Sequence, residues 1–400
     1  MKVFIPGIDG YLGWPLALYL TSRGHEVQGA DNMMRRAMVE QLGSHSAIPI
    51  TEWEERRATF FEKFNRDIIR WHIDLKDFIP IYEALRAFKP DAIVHLGEIP
   101  SAPYSMIGPD EAAMTQVNNI IGSLNILYAM KEACPDAHLV KLGTMGEYGT
   151  PNMDIPEGYF EIEYRGRKDT LPFPRQPGSW YHLTKVHDTY NIMFACKVWE
   201  LCSTDIMQGP VFGTRIDEMG DDARVATRLD FDECFGTVIN RYCCEAVIGH
   251  PLTPFGQGHQ TRGYIPLRDS MQCMTIAVEN PPKKGEYRTF NQFEGIFDVT
   301  ELAQRVKNAG KEIGLDIEVR NLENPRLELE RHYYNPDRKN LVDLGYKPSI
   351  TIEDELKIML TDLLKHKDRI LEKKEYLIPE IRWSGLHKRV GYLNHREQNT

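Results

Sequence analysis

Residues 2–13 read KVFIPGIDGYLG, a short apolar run followed by glycines at 7, 10 and 13, with a helix-forming stretch from Leu12 to Arg23. This spacing between a strand and a helix restricts the fold more than any other feature of the chain. Gly7 permits the tight turn, Gly10 lets the backbone approach a pyrophosphate, and Gly13 lets the helix pack closely on the strand. The helix N-terminus then offers free N–H groups and a favourable dipole to an anion. The next strand, HEVQGAD (25–31), ends in Asp31, where a carboxylate accepts bonds from adenosine ribose hydroxyls and disfavours a 2′-phosphate. NAD is therefore expected rather than NADP, although Arg35 and Arg36 follow closely and keep a 2′-phosphate in view. Asp74, placed after a third strand read at IDL (73–75), is suited to an adenine amino group.

The same alternation continues. DAIVHLG (91–97) reads as a strand, 117–133 as a helix and HLVKLGT (138–144) as another strand. Strands alternating with helices predict parallel pairing through right-handed crossovers, an α/β doubly wound Rossmann-type sheet. The charged stretch 33–72 is expected to be helical decoration over the cofactor edge. Beyond residue 210 the pattern becomes irregular, and 300–400 reads as mostly amphipathic helix with a polar tail. The expected division is a cofactor domain over 1–210, rejoined by a segment at about 260–275. Residues 211–400 would form a smaller, mixed α/β substrate lobe.

Composition narrows the class. A net charge of −10 argues against a nucleic-acid surface, which normally shows as basic excess. No run approaches the roughly 18 apolar residues of a membrane span, so no insertion is expected. The first strand begins at residue 2, which leaves no targeting peptide and suggests a cytoplasmic protein. Seven cysteines without a CxxC motif read as buried thiols rather than a metal or disulfide frame, so no metal is expected.

WYHLTKVHD (180–188) sets Tyr181 and Lys185 four apart, on one helical face. A nearby ammonium favours the phenolate, so the tyrosine is expected to remove a hydroxyl proton while hydride leaves the same carbon. Thr144, at the end of a strand, completes a hydrogen-bonding group.

On the glycine turn, Thr144, Tyr181 and Lys185, the chain resembles the extended short-chain dehydrogenases/reductases that modify nucleotide sugars. More closely it resembles the UDP-sulfoquinovose synthase family, through GIDGYLGWP, SAPYSM, LVKLGTMGEYGTPNMDI, DTLPFPRQ, YHLTKVHDTYNI, GHPLTPFGQGHQTRGY, FNQF and NPRLELERHYYN. The resemblance implies tightly held NAD, UDP-glucose and sulfite as substrates, and a carbon–sulfur bond in the product. It also implies a homodimer built on the 112–133 and 181–200 helices. The product would enter a sulfolipid or a glycan, and a sulfite-donor protein is a conceivable partner.

Carried over by position, Tyr11, Leu12, Asn32, Arg35, Leu75, Gly97 and Asn118 would join the cofactor site. Gln208 and Val211 would meet the substrate, Thr253 and Phe255 would lie along the uracil, and Arg262 and Arg326 would grip the diphosphate. Tyr333 and Tyr334 are candidate sugar or phosphate contacts. Related 4,6-dehydratases carry an Asp–Glu pair after the threonine. Met145 and Gly146 stand there instead, which moves the elimination chemistry to Glu147 or His182. Pro100 replaces an arginine that precedes SAPYSM in plant members, and Arg165, Arg167 or Arg175 is expected to compensate. A UDP-glucose 4-epimerase or a 4,6-dehydratase is the alternative within the superfamily. A cofactor-binding sensor is disfavoured because both Tyr181 and Lys185 are retained.

Overall fold

In the computed structural model, which describes residues 1–329 and 331–384, seven strands form one parallel sheet. They are β1 (Lys2–Pro6), β2 (Glu26–Ala30), β3 (Ile69–Trp71), β4 (Ala92–His95), β5 (His138–Thr144), β8 (Cys202–Gln208) and β11 (Tyr287–Gln292). A hairpin of β6 (Tyr159–Tyr164) and β7 (Arg167–Pro172) interrupts the series, and β9 (Val211–Phe212), β10 (Thr261–Pro266) and β12 (Gly295–Asp298) build a small second sheet. The spatial order β11-β8-β5-β4-β1-β2-β3 reverses direction between β1 and β4. Ligands of such sheets bind outside the carboxyl ends of the strands at that switch point.

Both faces of the sheet are covered, as a parallel sheet requires. In β1, Val3 and Ile5 pack against Leu16, Leu20 and Met274, while Phe4 packs with Ile81, Leu85 and Met130. The third strand lies at 69–71, not at the expected 73–75, which instead forms the turn behind it. The 33–72 insert is helical over Met34–Gln41 and Trp53–Phe64, as expected.

The return to the first domain runs further than 260–275. The helix Leu267–Glu279 packs beneath the sheet, and β11 extends it beside β8 as far as Gln292. The second lobe packs the helices Val238–Val247, Val299–Glu312 and Ile352–Leu364 around Tyr242, Leu302 and Leu356. Helix is sparser than expected after residue 312, with 313–329 and 331–338 mostly irregular. The expected polar tail lies outside the described residues from 385 onward.

Candidate active site

The glycine turn is packed so tightly that side chains are excluded. Gly7 has φ +87°, and a Cβ there would stand 2.6 Å from the Leu96 carbonyl carbon, across the switch point. A Cβ on Gly13 would collide with the Gly7 carbonyl. From this turn a cavity of about 670 Å³ reaches across the ends of β4 and β5 into the second lobe.

Asp31 lines the cavity and also braces the turn. Its Oδ2 accepts the Asp9 N–H at 2.9 Å and its Oδ1 the Met33 N–H at 2.8 Å. Arg36 is committed to Asp9 through two bonds of 2.8 Å, and Arg35 to Asp230. Arg36 is taken up by Asp9 and by Glu52 at 3.7 Å, which weakens the case for a 2′-phosphate beside it. Tyr11, Leu12, Asn32, Leu75, Gly97 and Asn118 line the same cavity, but Asp74 does not. Asp74 accepts the Lys76 N–H at 3.0 Å and pairs with its ammonium at 3.3 Å, closing the turn beyond β3.

Asn118 sits in a π-helical turn, Val117–Ile121. Its neighbour Asn119 accepts the Ile99 N–H at 2.8 Å and donates to Thr184 Oγ1 at 3.0 Å. Together the two bonds tie the loop after β4 to the helix Trp180–Trp199.

This helix carries the tyrosine and lysine. Ser179 caps it, accepting the His182 N–H at 3.2 Å. Thr144, Tyr181 and Lys185 all reach the cavity. The Lys185 ammonium lies 5.9 Å from the Tyr181 ring centroid. Burial pushes Tyr181 well above its ordinary range, Glu98 adds to the rise, and Lys141 opposes it. Lys185 is instead paired with the buried Glu98 and donates to the Leu142 carbonyl at 2.6 Å, so its charge is locally balanced. Nothing in the sequence reading singled out Glu98. Its signal was a glutamate directly after the apolar run of β4, where the strand ends at the cavity.

Of the two candidates for moving the carbon 5 proton, Glu147 does not line the cavity. It is fully buried, accepting from Arg175 at 3.1 Å, Thr189 at 3.2 Å and the Thr144 N–H at 3.3 Å, with Lys141 at 3.5 Å. Its bond from the Thr144 N–H braces the turn after β5. His182 does line the cavity, and Gly146 makes room for it: a Cβ on Gly146 would overlap the imidazole at Nε2. Its Nδ1 is 3.1 Å from Ser179 Oγ. Burial, then Arg326 and Arg262, push the imidazole down to about 3, so it is neutral at physiological pH. Met145 packs with Tyr148, Ile155 and Met207 and presents its remaining surface to the cavity.

Gln208 at the end of β8 lines the cavity, as do Val211, Phe255, Arg262 and Arg326, whereas Thr253 and Tyr333 do not. Thr253 is bound to Glu245, and its carbonyl accepts from Arg241 at 2.9 Å. Tyr333 faces outward, donating to Asp154 at 2.5 Å, and Tyr334 takes the place by the cavity. None of the expected substitutes for the missing arginine enters. Arg165 and Arg167 are exposed on the β6–β7 hairpin, and Arg175 is buried against Glu147. Arg35, Arg228 and Arg241 are the other cavity arginines, and the last two were not anticipated.

Residues 3–291 match the NAD dependent epimerase/dehydratase family. The chain is 48% identical over 96% of its length to UDP-sulfoquinovose synthase of Sulfolobus acidocaldarius, covering 98% of that protein. It is 44% identical to the chloroplastic enzyme of Spinacia oleracea, covering 96% of this chain and 80% of that one.

The chain belongs to the UDP-sulfoquinovose synthase family.

Solved structures share the fold at lower identity. UDP-glucose 4-epimerase from Thermotoga maritima, with UDP-glucose, superposes with TM-score 0.69 at 18% identity, covering 91% of this chain and 99% of that one. The Thermus thermophilus epimerase, in complex with NAD, gives 0.63 at 19%, again with 91% and 99% coverage. Like its superfamily, the synthase family is NAD-dependent, and the cradle here fits that cofactor. The glycines leave backbone-width space at the turn, Asp31 faces the cavity, and Lys185 and Tyr181 stand beyond it.

Proposed function

We propose that this protein makes UDP-sulfoquinovose from UDP-glucose and sulfite, through oxidation at carbon 4, loss of water across carbons 5 and 6, addition of sulfite at carbon 6 and reduction. The observation that carries this reading is the replacement of a charged pair after Thr144 by Met145 and Gly146, with the His182 imidazole in the vacated space. When bound, NAD accepts the carbon 4 hydride and supplies it again at the end. Every other task falls to side chains.

Tyr181 Oη removes the proton from the carbon 4 hydroxyl and later restores it. To act as that base the phenol must start as the phenolate, a form that burial and Glu98 oppose here and Lys141 favours. Thr144 Oγ accepts the Gly146 N–H at 3.1 Å, which leaves its hydroxyl proton for the carbon 4 oxygen. Lys185 and Glu98 hold the floor of the site as an ion pair. His182 Nε2 takes the carbon 5 proton and passes it to the departing carbon 6 hydroxyl, which leaves as water; when the sulfite sulfur bonds to carbon 6, a proton returns to carbon 5. Arg262 and Arg326 grip the substrate diphosphate, whose charge offsets the part that these two cations add to the depression burial imposes on His182. Met145 presents an uncharged thioether, so the incoming anionic sulfite meets no carboxylate.

A homodimer is part of the proposal. Val117, Ile121 and Tyr128 on one helix, with Tyr190, Phe194 and Val198 on the helix Trp180–Trp199, leave large apolar side chains exposed. Tyr190, Phe194 and Val198 are four apart and form one stripe. No helix among the described residues is long and apolar enough to cross a membrane. A role in sulfolipid or glycan synthesis, with sulfite delivered free or by a donor protein, completes the reading. Incubating Tyr181→Phe with UDP-glucose tests it: cofactor reduction by the sugar, followed by near-ultraviolet absorbance, is expected to vanish. Undiminished reduction would remove the tyrosine from its role.

A further inference from the structure

Arg35 and Arg228 reach the cavity from opposite parts of the chain and are joined by one carboxylate. Asp230 Oδ2 accepts from Arg35 Nη2 at 2.8 Å and Nε at 3.1 Å, and Asp230 Oδ1 accepts from Arg228 Nη2 at 2.8 Å. Each guanidinium keeps a buried Nη1 without a hydrogen-bond partner, and Arg228 is only 2% exposed. Burying a cationic N–H unpaired is costly unless something fills its place. The cluster carries two positive charges against Asp230. The neighbouring Asp232, pushed up to about 6 by burial and then by Asp230, is still mostly ionised near neutral pH, so what the cluster offers a ligand is its two unpaired N–H groups rather than a large excess of charge.

Its position indicates the ligand. Thr227, adjacent to Arg228, donates to the Tyr11 carbonyl in the glycine turn at 3.1 Å. Arg56 bridges Asp9 Oδ1, at 2.8 Å, and the Ala226 carbonyl, at 2.6 Å, holding the same two segments together. Arg35 follows Asp31 by four residues and lies flat on Phe235, 3.4 Å from the ring centroid, which fixes its plane. Arginines so braced suit bidentate recognition of phosphate oxygens.

We propose that Arg35 and Arg228, locked by Asp230, form a side-chain clamp on the cofactor's diphosphate, supplementing the backbone N–H groups of the glycine turn. The proposal rests on the dinucleotide reading of that turn. It explains retention of a cofactor that must stay through oxidation and reduction, and it places in the second lobe a residue that holds the first domain's ligand.

The test uses the full chain as wild type, Arg228→Gln, Arg228→Lys and Arg35→Gln, with melting temperature as a check on folding. NAD content after gel filtration and the affinities for NAD, ADP-ribose and UDP are measured at two salt concentrations. Both glutamine variants are expected to bind ADP-ribose about ten- to a hundredfold more weakly, with a shallower salt dependence. UDP affinity should hold, and lysine should restore part of the loss. Wild-type affinity for ADP-ribose in both folded glutamine variants would overturn the clamp, as would retained NAD with a selective loss of sulfite use. A wild-type chain that binds neither NAD nor ADP-ribose would instead overturn the dinucleotide reading beneath it.

Discussion

The His182 imidazole occupies the volume that any side chain on Gly146 would need. Two residues far apart in sequence are thereby coupled: the glycine after Met145 is the condition for a histidine at the reacting carbons. Gly146→Ala should displace the ring without straining the backbone, since φ at 146 is not positive. Sulfite-dependent turnover is expected to fall at least about tenfold, because a misplaced catalytic group commonly costs that or more. Cofactor reduction by UDP-glucose should persist. Turnover equal to wild type would show that the imidazole position is not used.

Glu147 is predicted to matter for folding rather than for chemistry. It is fully buried among Lys141, Arg175 and Thr189. Removing one partner of such a cluster leaves buried cations uncompensated, at a cost of about 3–5 kcal/mol. Glu147→Gln should therefore lower the melting temperature markedly, while the protein that remains folded still exchanges the carbon 5 proton with deuterated solvent. His182→Gln should do the reverse, keeping its stability and losing the exchange. Exchange lost in folded Glu147→Gln and retained in His182→Gln would reverse the assignment.

The stripe at Tyr190, Phe194 and Val198 is expected to be covered by a second copy of the chain. Phe194, 63% exposed, is the residue to change. Phe194→Glu should convert a dimer to a monomer by light scattering, with the fold retained by circular dichroism. A wild-type monomer would contradict the pairing.

The sequence made the dinucleotide cradle legible because each glycine there has a local cause, and a strand–turn–helix run is contiguous. The Tyr181–Lys185 pair was equally plain from helical spacing. What the residues did not reveal was side-chain commitment. Glu147 and Asp74 looked available in a linear reading, yet each is used by neighbours, one by a buried cluster and the other by its own turn. Thr253 and Tyr333 were one or two positions from residues that do line the cavity, Phe255 and Tyr334. Irregular segments carry no periodicity from which facing can be read. Glu98 and Arg228 are assembled from segments distant in sequence, and only the packing brings them to the site.

The central claim is that this site joins sulfite to an oxidised sugar nucleotide. The most direct measurement is to incubate the wild-type protein with UDP-glucose and NAD, with and without sulfite, and to follow the sugar nucleotide by mass. A UDP-sugar carrying a sulfonate is expected only when sulfite is present. Accumulation of UDP-galactose, with the sugar mass unchanged by sulfite, would contradict the account.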